Sequence, residues 1–153
     1  LPMLSIDNTY STADLKVWGT RTEKLLRDAG DSEPVGWVLE LKIDGVAVAL
    51  TYEAGRLALA ATRGNGLVGD DITHNVRTIP SIPLVLDLPA APPLIEVRGE
   101  IFMTNSALVM LNESQAARGL PPFANTRNVT AGSIRLLDPQ ECGSRPLRFF
   151  CHG

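Results

Sequence analysis

The sequence predicts an α+β domain in which antiparallel strands pack against flanking helices. Apolar residues follow a helical period near the N-terminus and switch to a period of two from Trp37 onward, and a hairpin signature joins two of the strand-like runs. Strands in runs with helices between and beside them favour antiparallel pairing over a doubly wound sheet. With 153 residues, 44% apolar and 20% charged, the chain can bury one core.

The first element is a helix. Ser11 or Thr12 can cap it, Leu15, Trp18, Leu25 and Leu26 form its apolar stripe, and it runs to about Ala29 with Gly30 as the stop. From Trp37 a strand is expected, with Trp37, Leu39, Leu41 and Ile43 on one face and Val38, Glu40, Lys42 and Asp44 on the other. Apolar runs Val46 to Tyr52 and Leu57 to Thr62 flank Glu53-Ala54-Gly55-Arg56, a hairpin composition, and this pair delivers Arg63 to its end. Gly64, Gly66 and Gly69 make a loop before Asp70 and Asp71, either of which can cap a short helix through Arg77. The proline-rich stretch from Ile79 to Pro93 connects two strand-rich halves, and Leu94 to Phe102 is a strand that sets Glu96, Arg98 and Glu100 opposite Ile95, Val97 and Ile101. Thr104 or Asn105 opens a helix ending near Gly119, a further helix is expected from Arg127 to Leu137 before Asp138-Pro139, and Leu147 to Cys151 reads as a last strand.

Composition excludes several classes of function. A net charge of −3 argues against a stand-alone nucleic-acid binder, yet the charge is uneven. Residues 1–117 hold 9 Lys and Arg against 15 Asp and Glu, whereas residues 118–153 hold Arg118, Arg127, Arg135, Arg145 and Arg148 against Asp138 and Glu141, so any polyanion contact is expected in the last quarter. Cys142 and Cys151 lack the number and spacing of a zinc site and are expected as free thiols. No stretch approaches the roughly 18 apolar residues of a membrane helix, and the start lacks a basic segment leading into an apolar one, which points to a cytoplasmic protein. The missing initiator Met and the abrupt end at Gly153 suggest a piece of something larger.

Lys42 is the pivotal residue. Carboxylates flank it at plus and minus two, the other strand face is apolar, and Gly45 follows closely. A lysine amine acts as a nucleophile only when deprotonated; burial lowers its pKa and neighbouring carboxylates raise it. Glu40 and Asp44 alone would hinder it, so a second cation or a bound metal is expected to offset them. The plain alternative, surface ion pairs of Lys42 with Glu40 and Asp44 worth at most about 1 kcal/mol, fits the same spacing.

Lys42-Ile43-Asp44-Gly45 matches the Lys-x-Asp-Gly nucleophile motif of the covalent nucleotidyltransferases, which are the DNA ligases, RNA ligases and mRNA capping enzymes. Further blocks narrow the likeness: Ser5-Ile6-Asp7-Asn8, Thr62-Arg63-Gly64-Asn65-Gly66, Gly69-Asp70-Asp71-Ile72-Thr73, Asn75-Val76-Arg77-Thr78-Ile79 and Glu96-Val97-Arg98-Gly99-Glu100. Phe123 to Asn128, Ala131 to Arg135, Leu137-Asp138-Pro139 and Ser144 to Leu147 with Phe149-Phe150 complete the series. In these blocks the chain resembles the NAD+-dependent, bacterial-type DNA ligases.

The resemblance implies an ATP-grasp-like ligase nucleotidyltransferase core, incomplete at its C-terminus. It identifies residues 1–153 as part of an adenylation domain, with the small domain that binds nicotinamide mononucleotide, the OB-fold, and the zinc, helix-hairpin-helix and BRCT parts lying outside them. It also implies that Lys42 attacks the α-phosphate of NAD+ and holds AMP as a phosphoramidate, and that AMP then passes to the 5'-phosphate of nicked double-stranded DNA for displacement by the 3'-hydroxyl. Alone, the fragment is expected not to seal a nick. Asp44 would orient hydrated Mg2+ or the lysine, with Glu100 near the same ion. Glu40 would meet the adenine edge, Glu100 the ribose, and Arg63 the ribose or phosphates; Ser5, Ile6, Ile43 and His152 complete the NAD+ contacts. Arg127 and Arg135, eight residues apart and so about 80° apart on one helix, would face DNA. No direct metal ligand and no membrane partner are implied, and a monomer is expected.

The chain departs from the family pattern at Asn65 for Asp, Thr126 for Pro, Val129-Thr130 for Ala-Ala, and His152 for an adenine-stacking Tyr. These bear on the glycine loop, on the seating of the Arg127 segment and on nucleotide affinity. The 64–69 loop lacks a P-loop ending and reads as a turn, and His74 reads as a surface helix residue. A degenerate DNA-binding relative and an ATP- or GTP-dependent RNA ligase or capping enzyme are the alternatives.

Overall fold

In the computed structural model, residues 8–31 and 33–152 are described. They form two compact units that divide at Leu41/Lys42.

The N-terminal unit is built on α1 (Thr12–Asp28). Ser11 is its cap, the hydroxyl accepting from the Asp14 N–H at 3.1 Å. At the other end the Asp31 N–H donates to the Leu26 carbonyl and the Gly30 N–H to that of Arg27, the paired closure of a Schellman stop. The stripe read from the sequence is present but uncovered within the unit: no α1 residue is buried, and Trp18 meets Trp37 with ring centroids 5.2 Å apart.

The strand expected from Trp37 to Asp44 does not form. Residues 37–44 carry no regular structure, and Trp37, Leu39 and Leu41 are exposed. Alternation makes a strand only where a neighbour supplies ladder hydrogen bonds, and among the described residues this segment has no such neighbour.

The second unit contains one four-stranded antiparallel sheet, not several, in the order β2-β1-β3-β4. Its strands are β1 (Val46–Glu53), β2 (Arg56–Thr62), β3 (Leu94–Phe102) and β4 (Arg148–Cys151). The β1–β2 hairpin closes on Ala54 and Gly55, both at positive φ (45° and 78°), with Glu53 paired to Arg56; this primed turn matches the right-handed strand twist. The proline-rich connection follows the outer edge of β2, where the Leu57 N–H donates to the Leu84 carbonyl and the Leu86 N–H to that of Gly55. What looked like a divider between two halves is therefore an edge cover.

Cross-strand partners share a face, so Val46, Val48, Leu50 and Tyr52 stand with Leu57, Ala60 and Ile101 on one side. Onto that side pack α2 (Thr73–Val76), α3 (Asn105–Ala117), α4 (Thr126–Ser133) and α5 (Pro139–Gly143), contributing Val76, Ala107, Val129 and Cys142 to one continuous core. The other side carries Ala47, Ala49, Ala61, Arg98, Glu100 and Phe150, none of them fully buried.

Two helix expectations need correction. α4 ends at Ser133 with Ile134 as its cap, short of Leu137, so Arg135 lies beyond the helix. Asp138-Pro139, read as a stop, instead starts α5: the Asp138 carboxylate accepts from the Gln140 N–H and the proline occupies a first-turn position.

Candidate functional site

The site forms where three strand ends meet the N-terminus of α4. Lys42-Ile43-Asp44 leads into β1, with Lys42 and Asp44 exposed and Ile43 half-buried. Arg63 follows β2 directly, and its N–H donates to the Ala47 carbonyl at 2.9 Å. Glu100 pairs with Ala47 across the sheet on its open face, beside the small side chains of Ala49 and Ala61. His152 continues from β4, its N–H donating to the Arg98 carbonyl, which brings Nε2 to 3.9 Å from Glu100 Oε1.

Glu100 is the carboxylate on which the site converges. Burial pushes its pKa up, while His152, Lys42, Arg63 and Arg127 pull it down. Four cationic or potentially cationic groups from four separate stretches of sequence therefore act on one acid. Arg127 also reaches Asp44, Nε to Oδ1, at 3.9 Å; both groups are exposed, so this pair is worth at most about 1 kcal/mol.

Arg63, Arg127 and Arg135 line a cleft of about 220 Å³ floored by Gly45, Val46 and Ala47. Arg135 is brought to Arg127 although the two do not share a helix, because Asp70 holds its Nε at 2.8 Å. Neither Asp70 nor Asp71 caps α2, whose N-cap is Ile72 with no side-chain bond to the helix; Asp71 Oδ1 instead accepts from the Thr73 hydroxyl and N–H in the turn before it, which lowers the Asp71 pKa. No sequence signal distinguished the two carboxylates.

Ser5 and Ile6 lie outside the described residues, and Glu40, exposed, belongs to the N-terminal unit. Among the described residues no group of three or more His, Cys, Asp or Glu could hold a metal ion, and no helix is long and apolar enough to cross a membrane. Cys142 is a buried free thiol and Cys151 an exposed one. His74 is exposed on α2, with Nε2 3.1 Å from the Leu136 carbonyl.

The family described as NAD-dependent DNA ligase adenylation domain matches residues 1–153, the whole chain. The chain belongs to that family. It is 54% identical to a DNA ligase of Rhodopirellula baltica, covering 100% of this chain and 22% of the relative. It is 51% identical to a DNA ligase of Akkermansia muciniphila, covering 100% and 20%, and 51% identical to one of Desulforudis audaxviator, covering 99% and 22%. The chain thus spans about a fifth of the length of these relatives.

The departures from the family pattern are absorbed locally. Asn65 Oδ1 accepts from the N–H groups of Leu67 and Val68, an acceptor task that an Asp carboxylate would share. The loop this closes is tight: a Cβ on Gly69 would lie 1.7 Å from the Thr62 carbonyl oxygen, so only glycine allows the approach. Thr126 takes the first helical position after the Asn125 cap, and Thr130, fully buried, returns its hydroxyl to the Thr126 carbonyl at 2.8 Å. Val129 enters the core.

Proposed function

We propose that this chain is the nucleotide-transfer core of an NAD+-dependent DNA ligase, with its sheet and helices forming the ATP-grasp-like nucleotidyltransferase fold. In this reading Lys42 Nζ attacks the α-phosphate of NAD+, nicotinamide mononucleotide departs, and AMP remains on the lysine as a phosphoramidate. AMP then passes to the 5'-phosphate of a DNA nick, and the 3'-hydroxyl displaces it as the phosphodiester bond forms. The observation that carries the reading is the cleft that Arg63, Arg127 and Arg135 line at the entry to β1, where Lys42-Ile43-Asp44 leads in and Arg127 reaches Asp44 at 3.9 Å.

Phosphoryl transfer of this kind needs alignment and charge compensation more than acid–base chemistry. Lys42 is exposed, so a nucleotide laid over the alanine floor must remove water from the amine. In this reading Arg63 meets the ribose or phosphates, Glu100 the ribose and His152 the adenine ring, and by resemblance Glu40 meets the adenine edge. Ile43 supplies apolar contact, and Ser5 and Ile6 complete the nucleotide side by resemblance. Arg127 and Arg135 face the DNA backbone.

With no protein cluster able to hold a metal ion among the described residues, a Mg2+ ion would have to ride on the phosphates; Asp44 and Glu100 are the carboxylates that would hold its hydrated form, and it would supply charge neutralisation there. The remainder of the parent protein supplies the grip on nicotinamide mononucleotide and on the duplex.

The test is intact-mass spectrometry of the full-length parent with NAD+. One added AMP, absent in Lys42→Ala and not produced from ATP, is expected. No gain of AMP under conditions that load a control ligase would sink the proposal, and loading from ATP instead would move the protein to the ATP-dependent class.

A further inference from the structure

Asn75 sits on α2, far from Lys42 in sequence and absent from the contacts assigned above, yet it is among the most buried polar residues of the chain, at 0% exposure. Its Nδ2 group has two hydrogens, and both are used: one is donated to the Ile134 carbonyl at 2.9 Å and the other to the Leu136 carbonyl at 2.7 Å. Those carbonyls belong to the residues immediately before and after Arg135.

Arg135 lies past the end of α4, so helix geometry does not fix its direction. The local backbone bonds there are long, 3.2 Å from the Arg135 N–H to the Gly132 carbonyl and 3.3 Å from the Leu136 N–H to that of Ser133. The amide of Asn75 and the ring of His74 supply the grip that the helix no longer provides. Asp70, from the loop just before α2, takes Arg135 Nε at 2.8 Å, and Arg135 Nη1 donates to the Ala131 carbonyl.

One short stretch, residues 70–75, therefore holds both the backbone and the side chain of a cleft arginine. The grip needs both Nδ2 hydrogens: Asp has none to donate, and Gln would carry its amide one methylene farther from α2.

We infer that Asn75 is a positioning residue for Arg135, acting through the carbonyls of Ile134 and Leu136 to hold the guanidinium toward the DNA phosphates. The inference rests on the ligase reading above. Its experiment uses the full-length parent and separates two readouts, the rate of lysyl-AMP formation from NAD+ and the affinity for nicked duplex across a salt series.

Arg135→Ala is expected to weaken nick binding roughly tenfold, the scale of one charge-assisted hydrogen bond, and to reduce the salt slope by about one. Asn75→Ala shares both effects, while lysyl-AMP formation falls far less than nick affinity. The double variant binds no more weakly than Arg135→Ala alone, because the two residues act as one unit. Additive losses, or equal losses in lysyl-AMP formation and nick affinity, overturn the inference.

His74→Ala guards against a misfolded Asn75 variant, since His74 is exposed and holds the same Leu136 carbonyl; it should show the same pattern at smaller amplitude, and parental nick affinity in it counts against the clamp. If the parent itself never gains AMP, the ligase reading fails. If the parent loads and seals normally while the Asn75 pattern is absent, only the positioning role fails.

Discussion

The two faces of the β1–β3 sheet are made from the same strands, residue by residue in alternation, and they differ in almost everything else. One face is closed by Val48, Leu50, Tyr52 and Ile101 under the helices. The other leaves Ala47, Ala49 and Ala61 as a low floor around Glu100, a partly buried acid with its pKa pushed up. Packing and access to the open face are thus separated at single-residue spacing, because a strand turns each successive side chain to the opposite side. Substitutions on the two faces should therefore have different signatures.

The largest effect is expected at the open side. Lys42→Ala should abolish the gain of AMP by the full-length parent while leaving its melting temperature unchanged, since the side chain is exposed; residual AMP loading detected by mass would show that another nucleophile serves. On the closed face, Ile101→Ala should cost about 2–5 kcal/mol by denaturant unfolding, with loading per folded molecule retained. A loss of loading beyond the unfolded fraction would mean that the faces are coupled.

Glu100→Gln sharpens the contrast because its two consequences have opposite signs. A carboxyl whose folded pKa is raised contributes stability that is complete below the unfolded pKa and is lost as pH rises through the folded one. The glutamine variant escapes that loss. Its melting temperature should match the parent near pH 4 or below and exceed it increasingly toward pH 7, while AMP loading falls; a gap that narrows with rising pH would contradict the burial of Glu100.

The smallest effect is at the hairpin, where Ala54 holds φ at 45°. Ala54→Gly should raise stability by at most about 1 kcal/mol in thermal unfolding, with no change in loading.

Much of this was legible in the sequence where local signals and tertiary demand agree. The strand Leu94–Phe102 and the hairpin across Glu53 to Arg56 each carry a self-contained signature and formed as read, while of the paired cap candidates the structure takes Ser11 over Thr12 and Thr104 over Asn105. The Trp37–Asp44 strand did not, since alternation cannot report whether a partner strand exists. Arg135 left the helix because long-range bonds from Asn75 to Ile134 and Leu136 fix that turn, and a separation of about sixty residues leaves no local trace. The same limit hid Asp70 as the partner of Arg135. The alanine floor was in plain view as the large–small alternation Val46-Ala47-Val48-Ala49, yet an apolar run reads as core on both sides until the register says which side is open.

Gly45 adds a geometric consequence. A Cβ there would fall 2.3 Å from the carbonyl oxygen of Ile101, so the backbone is pressed against β3 at the point where it enters the sheet. Lys42 hangs from that pin by three residues, a tether that at full stretch spans only about 11 Å. The pin therefore bounds how far the Lys42 amine can lie from the sheet edge: no farther than that tether plus the length of its own side chain.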